Sequence, residues 1–245
     1  MDGVFVAEGD LVVERALKAG YRLSSILVDG RRRTPMPKII GPEVPVYGAG
    51  PDVLQRITGY HLHRGMLACF HRRPVPEPEE IVGSMRTALL VEGVNNPTNL
   101  GVILRCAAAL DVDGYLLDPT CCDPLYRRAG RVSMGEAYAL PYARLDHLPD
   151  GLAPVRAAGM RLLALTPAPD AVDIATLSLD ADEPVALMLG AEGPGLSRAA
   201  LDAADQRVRI PMSGTVDSIN VGSAAAVAFY AVLQARARPP VTDRN

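Results

Sequence analysis

A chain of 245 residues with 49% apolar and 22% charged side chains has the balance of an ordinary globular protein, which excludes disordered, collagenous and low-complexity architectures. No uninterrupted apolar stretch reaches the roughly 18 residues that a membrane-spanning helix needs. The first ten residues carry Asp2, Glu8 and Asp10 where a secretory leader would be basic and then greasy, so a cytoplasmic protein with no membrane partner is expected. The net charge of −3 averages two unlike parts: residues 1–73 hold 11 Lys or Arg against 7 Asp or Glu, and residues 74–245 hold 14 against 21. The basic front end also carries three of the four histidines and the triplet Arg31, Arg32, Arg33, which makes it the landing place for a polyanion unless the triplet is a plain solvated loop.

Taken in chain order, the front part predicts a strand over residues 4–7, a helix over 10–18 and a strand over 26–28. A strand over 44–47, a short helix over 52–57 and a strand over 66–70 follow, giving a small α/β domain over residues 1–73. Residues 74–80, PVPEPEE, carry three prolines in five residues, a composition that forbids continuous helix or central strand and reads as a linker. Beyond it, over residues 81–245, apolar strand-like runs at 88–91, 115–117, 162–165, 185–189 and 208–210 alternate with helical stretches. Continuous apolar strands alternating with helices predict a mostly parallel sheet covered on both faces, whose ligands sit beyond the carboxyl ends of the strands.

Three loops at such ends stand out. In EGVNNPTNLGVILRCAAAL, residues 92–110, Pro97 breaks the chain, and Thr98 or Asn99 is placed to cap an apolar helix that carries Arg105. An arginine there either reaches an opening or a partner, since it cannot shed its charge, or snorkels to the surface. In VALMLGAEGPGLSRAAL, residues 185–201, a buried strand meets Gly190, Gly193 and Gly195 and then a helix opening at Ser197. The spacing is neither GxGxxG nor a P-loop, and Glu192 would repel a pyrophosphate, so the loop is either a tight turn or a seat for a ligand of positive charge. In VRIPMSGTVDSINVGSAAAVAFYAV, residues 208–232, Ser213, Gly214, Asp217, Ser218 and Asn220 crowd the start of a helix so apolar on every side that burial is predicted. Helix capping explains one or two of these polar residues, not the set.

These three segments, in this order, resemble the signature motifs of the SpoU (TrmH-type) RNA ribose methyltransferases. Asn99, Gly101 and Arg105 match the first motif, Gly190, Glu192 and Gly195 the second, and Ile210, Pro211, Met212, Gly214, Ser218 and Asn220 the third. The front segment VFVAEGDLVVERALKAGYRLSSILVD resembles, more loosely, the ribosomal-protein-L30e-like substrate-binding domain of some members. The resemblance implies methyl transfer from S-adenosylmethionine to an RNA ribose 2′-hydroxyl, a trefoil knot in the C-terminal part of the sheet, and a homodimer formed through the knotted region. It implies Arg105, Asn99, Glu192, Ser218 and Asn220 as the catalytic set, with the last three orienting the arginine and the ribose. Thr166, Gly190, Gly195, Ile210, Met212 and Ile219 would line the donor pocket. For RNA placement the charge split points to Arg31, Arg32, Arg33, Arg64, Arg72 and Arg73 in front, joined by Arg127, Arg128 and Arg131. Two domains in place of a minimal core favour ribosomal over transfer RNA, with a catalytically inactive RNA-binding member as the further alternative.

Other chemistry is weaker. A nucleotide-dependent oxidoreductase would show GxGxxG after the first strand of the second domain, and none is there. His61, His63, Cys69 and His71 lie within eleven residues but lack firm zinc-ligand spacing, and no metal is assigned. Cys69, Cys106, Cys121 and Cys122 fit neither a zinc knuckle nor a disulfide framework and read as reduced thiols.

Overall fold

A computed structural model of the protein describes residues 3–59, 65–214 and 218–237. In chain order the elements begin with β1 (Val4–Glu8), α1 (Asp10–Lys18), β2 (Leu23–Asp29), β3 (Val46–Ala49), α2 (Pro51–Thr58) and β4 (Met66–His71). There follow α3 (Pro78–Val82), β5 (Thr87–Val91), α4 (Pro97–Ala109), β6 (Gly114–Leu117), α5 (Arg127–Val132), α6 (Glu136–Ala139) and β7 (Tyr142–Arg144). The chain continues with α7 (Ala153–Ala157), β8 (Arg161–Leu165), β9 (Val172–Asp173), β10 (Val185–Leu189), α8 (Arg198–Ala203), β11 (Gln206–Arg209) and α9 (Val221–Ala237). None of the described helices is long and apolar enough to cross a membrane.

The chain divides into two compact units, one gathering the chain up to Pro74 with Asp123–Ala139, the other Val75–Cys122 with the chain from Leu140 onward. The first unit holds a four-stranded sheet in the order β1-β4-β2-β3, antiparallel except for the parallel β2–β3 pair. Its strands alternate, so Phe5, Ala7, Met66, Ala68 and Phe70 are buried on one face. Sequence reading places residues 123–139 with the second part; the structure packs them into the first. Tyr138 rests against Phe5 at 5.1 Å between ring centroids, and Glu8 accepts from Arg127 at 2.9 Å and Arg131 at 3.1 Å. Arg15 pairs with Glu136 at 2.9 Å. Such long-range pairings leave no trace in local periodicity.

The second unit is a seven-stranded, wholly parallel sheet in the order β7-β6-β5-β10-β8-β11-β9. Every residue of β5, β6 and β10 is buried, as a sheet covered on both faces requires. On one face Leu90, Leu116, Leu162 and Met188 pack with Val82, Leu152, Val155 and Ala200 from the helices. Elsewhere in the unit α4 packs on α9, where Gly222 lets the helices approach; a Cβ there would lie 2.6 Å from Val102 Cγ1.

Three local expectations are corrected. The proline-rich segment is not free of helix: α3 starts at Pro78, where a proline in the first turn lacks only an N–H that would be unpaired anyway, and Glu80 Oε2 accepts from Glu77 N at 3.1 Å. Pro97 opens α4 instead of breaking it, and the cap is Asn96, whose side chain accepts from Thr98 N at 2.9 Å, not Thr98 or Asn99. Helix α9 is buried along one side only, through Val221, Ala225, Ala228, Phe229 and Val232, while Val227 and Tyr230 are 42% and 55% exposed.

Candidate active site

Strands β5, β10, β8 and β11 are neighbours in the sheet, so the loops leaving their carboxyl ends gather at one edge. The loops after β8, β10 and β11 enclose a cleft of about 380 Å³, within the range of small-molecule sites. All six residues expected around a donor molecule, Thr166, Gly190, Gly195, Ile210, Met212 and Ile219, lie on its walls, together with Glu192, Ser218 and Asn220. Leu165, Leu189 and Val221, which sequence reading left out, add apolar surface; they end a strand or open a helix and look like core in a linear sequence.

The second loop is both readings at once, a tight turn and a cleft wall. Gly195 N donates to Ala191 O at 3.0 Å, and Gly193 and Gly195 take φ of 88° and 71°, the left-handed region that glycine adopts without strain. Gly190 is required for a different reason: a Cβ there would lie 2.1 Å from the Gly195 carbonyl carbon and the Leu196 nitrogen.

The three motifs meet at one amide. Asn220 Oδ1 accepts from Gly222 N at 2.9 Å at the start of α9, while its Nδ2 donates to Glu192 Oε1 at 2.6 Å and to Asn99 Oδ1 at 3.3 Å. Asn99 is buried in the first turn of α4. One residue from each motif thus shares a hydrogen-bonded network at the cleft mouth. Asp217 of the third loop lies outside the described residues.

Arg105 is not part of this network within its own chain. It is exposed, it is absent from the cleft walls, and among the described residues it makes no hydrogen bond or ion pair. Six residues separate it from Asn99, a rise of about 9 Å along the helix and a rotation of roughly 240°, so the two cannot project in the same direction.

Two acids that sequence reading passed over hold the first loop. Glu92 N donates to Leu189 O at 2.9 Å, and Glu92 Oε2 accepts from Ser197 N at 2.7 Å. Asp118, buried at the end of β6, accepts from Gly93 N at 3.0 Å, Thr120 Oγ1 at 2.7 Å and Cys121 N at 3.0 Å. Burial works to raise its pKa, but these donors and the Cys121 thiol together overcome it and hold the carboxyl below the ordinary range. Burial pushes the thiols of Cys121 and Cys106 up, which makes both poor nucleophiles.

The arginines expected to meet RNA fall into distinct groups. Arg32 is a correction: its side chain is 5% exposed and spans Asp10 at 2.7 Å and the carbonyls of Thr34 and Pro35. Arg72 bonds Asp123, Arg127 and Arg131 share Glu8, and Arg73 lies over the Tyr21 ring at 4.0 Å, so much of this positive charge is already answered within the unit. Arg31 pairs with Asp29 at 2.9 Å yet stays 72% exposed, and that guanidinium holds the Asp29 carboxyl down at about 2. Arg33 and Arg128 are exposed. Arg64, His61 and His63 lie outside the described residues.

Among the described residues, an apolar strand-end cleft with the Glu192 carboxylate at its rim and glycine-rich backbone walls suits a nucleoside-like ligand with a positive centre on a parallel α/β protein. Comparison with known proteins makes this specific. The profile of the SpoU rRNA methylase family matches residues 86–230, and the chain belongs to that family. It is 45% identical over 227 residues, 92% of this chain and 79% of the relative, to an uncharacterized tRNA/rRNA methyltransferase of Mycobacterium bovis. It is 28% identical over 226 residues, 92% of this chain and 87% of the relative, to the 23S rRNA (guanosine(2553)-2′-O)-methyltransferase RlmP of Bacillus subtilis. Among solved structures, the AdoMet-bound rRNA methyltransferase from Sinorhizobium meliloti matches with a TM-score of 0.80 at 26% identity, covering 95% of this chain and 87% of that one. The protein is accordingly an RNA methyltransferase that uses S-adenosylmethionine.

Proposed function

We propose that the protein transfers a methyl group to a ribose 2′-hydroxyl of RNA, with ribosomal RNA as the substrate, and that it works as a homodimer through its C-terminal unit. The observation that carries the reading is the Asn99–Asn220–Glu192 network at the mouth of the cleft. That the Bacillus subtilis relative is a 23S rRNA 2′-O-methyltransferase supports it.

The cleft suits the donor. Apolar side chains of Leu165, Leu189, Ile210 and Ile219 offer flat surface to an adenine, the main chain around Gly190 and Gly195 can be approached closely, and Glu192 supplies the carboxylate that a sulfonium favours. When bound, S-adenosylmethionine supplies an electrophilic methyl group. The chain's residues contribute position and electrostatics: Asn220 holds Glu192 at the rim, and Asn99 fixes the third loop against α4. Ser218, also on the cleft wall, can hydrogen-bond the incoming ribose. Arg105, a guanidinium that offers only hydrogen-bond donors, clamps substrate phosphate and stabilises developing negative charge on the ribose oxygen instead of acting as a base.

A site completed across a homodimer accounts for the separation of Arg105 from the cleft of its own chain, and the exposed Val227 and Tyr230 on α9 supply apolar surface for such an interface. In front, the exposed Arg31, Arg33 and Arg128 are the phosphate contacts.

The test is transfer of tritiated methyl from S-adenosylmethionine to ribosomal and transfer RNA, followed by digestion to nucleosides. Label in a 2′-O-methylnucleoside of ribosomal RNA is the expected result. Label confined to transfer RNA corrects the substrate; label on a base, or none with donor bound, overturns the reaction.

A further inference from the structure

The glycine loop that forms one wall of the cleft is held from outside the cleft, by a residue of the first motif's strand end. Glu92 reaches both ends of that loop. Its backbone N–H donates to Leu189 O at 2.9 Å, where the loop leaves β10, and its carboxylate accepts from Ser197 N at 2.7 Å, where the loop enters α8. The next residue, Gly93, takes φ of 71° and packs against the start of the loop: a Cβ on it would lie 3.3 Å from Ala191 Cβ. Asp118 fixes that turn by accepting from Gly93 N at 3.0 Å. The loop between these anchors carries Glu192, whose carboxylate meets Asn220.

Glu92 is absent from the cleft walls, and its carboxylate bonds the Ser197 end of the loop while Glu192, within the loop, bonds Asn220. A half-buried carboxylate that binds no cleft ligand and spans seven residues of a ligand-binding loop has a mechanical use. We propose that Glu92 is a positioning residue for methyl transfer: its carboxylate oxygen, as a hydrogen-bond acceptor for Ser197 N, keeps the Gly190–Gly195 loop in donor-binding shape before the donor arrives. The inference rests on the reading of the cleft as the S-adenosylmethionine site. Preorganisation of this kind acts on binding of the group the loop holds, because ordering that would otherwise accompany binding is already done.

The role needs an acceptor, not a charge, and this separates it from an electrostatic contribution to a cationic donor. Glu92→Gln keeps an oxygen at the same reach; Glu92→Ala removes it. Wild type, E92A and E92Q are compared by calorimetric titration with S-adenosylmethionine, by steady-state kinetics with RNA, and by thermal melting to establish that each is folded. E92A is expected to raise the donor Kd and KM about tenfold with the RNA KM unchanged, and E92Q to restore both to within about threefold of wild type. Equal damage in E92Q and E92A assigns the effect to charge and overturns the proposal, as does unaltered donor binding in E92A or an effect of E92A confined to RNA. Failure of the wild type itself to bind the donor is a different result, since it removes the reading of the cleft on which the proposal stands.

Discussion

Replacing Gly190 by alanine tests whether the cleft depends on the close approach of the second loop to its own strand end. The added methyl would lie 2.1 Å from both the Gly195 carbonyl carbon and the Leu196 nitrogen, whereas ordinary contact begins at 3.4 Å. Both obstacles are backbone, so no side-chain rotation relieves them, and the loop must spread by more than about 1 Å in a close-packed setting. Spreading works against the Gly195 N to Ala191 O bond and against the Asn220–Glu192 bond at the rim. Overpacking typically costs about 1–3 kcal/mol, and backbone obstruction puts this case near 3. At about 2–4 °C per kcal/mol for a chain of this size, the melting temperature of the second unit should fall by roughly 6–12 °C. Donor affinity, measured by calorimetry below the melt, should fall at least about tenfold, since one wall of the cleft has moved. Gly83→Ala is the control: Gly83 has φ of −65° and open space around its missing Cβ, so alanine should leave stability unchanged or raise it by a few tenths of a kcal/mol. Wild-type stability and donor affinity in Gly190→Ala would refute the argument from close approach.

Arg105→Ala and Arg105→Lys should each lower methyl transfer by about a hundredfold or more while leaving the S-adenosylmethionine Kd within about threefold, because Arg105 stands outside the cleft; near-normal transfer in either variant removes Arg105 from the mechanism. Arg32→Ala should destabilise the first unit by about 1.5–3 kcal/mol, read by denaturant titration, with little direct effect on RNA contact, because its guanidinium is buried against Asp10. Arg33→Ala and Arg128→Ala should do the reverse, weakening RNA binding and reducing the slope of log affinity against log salt by up to about one each; an unchanged slope ends their role as phosphate contacts. Asp118 has its folded pKa depressed, so its stabilisation is fully present above the ordinary carboxylate pKa and is lost as pH falls through the lower folded value. The stability gap between wild type and Asp118→Asn should therefore be widest at neutral pH and close as the pH drops below about 4; a gap that stays constant with pH contradicts the assigned ionisation.

Strand-end loops were legible because each couples a buried apolar run to an abrupt cluster of glycine or polar residues. The runs at 88–91, 185–189 and 208–210 fall on β5, β10 and β11, although the last strand ends one residue earlier, at Arg209. Convergence of the loops was not in the periodicity at all; it follows from strand order, which brings β10 between β5 and β8. The short edge strands β7 and β9 went unpredicted because three and two residues carry no period to detect. Glu92 and Asp118 were missed for a related reason: a single acid after a strand reads as a turn residue, and its partners Ser197 and Gly93 lie 105 and 25 residues away. Charge along the chain overstated the basic surface, since composition does not register that Glu8 answers both Arg127 and Arg131 or that Asp10 sequesters Arg32.

The measurement that bears most directly on the central claim is a crystal structure of the protein grown with S-adenosylmethionine. The donor should lie in the cleft between the Gly190–Gly195 loop and the wall formed by Ile210, Met212, Ile219 and Val221, with its sulfonium towards the Glu192 side and its adenine on the apolar surface. Density for the donor anywhere else on the chain, with this cleft closed or empty beside it, would contradict the account.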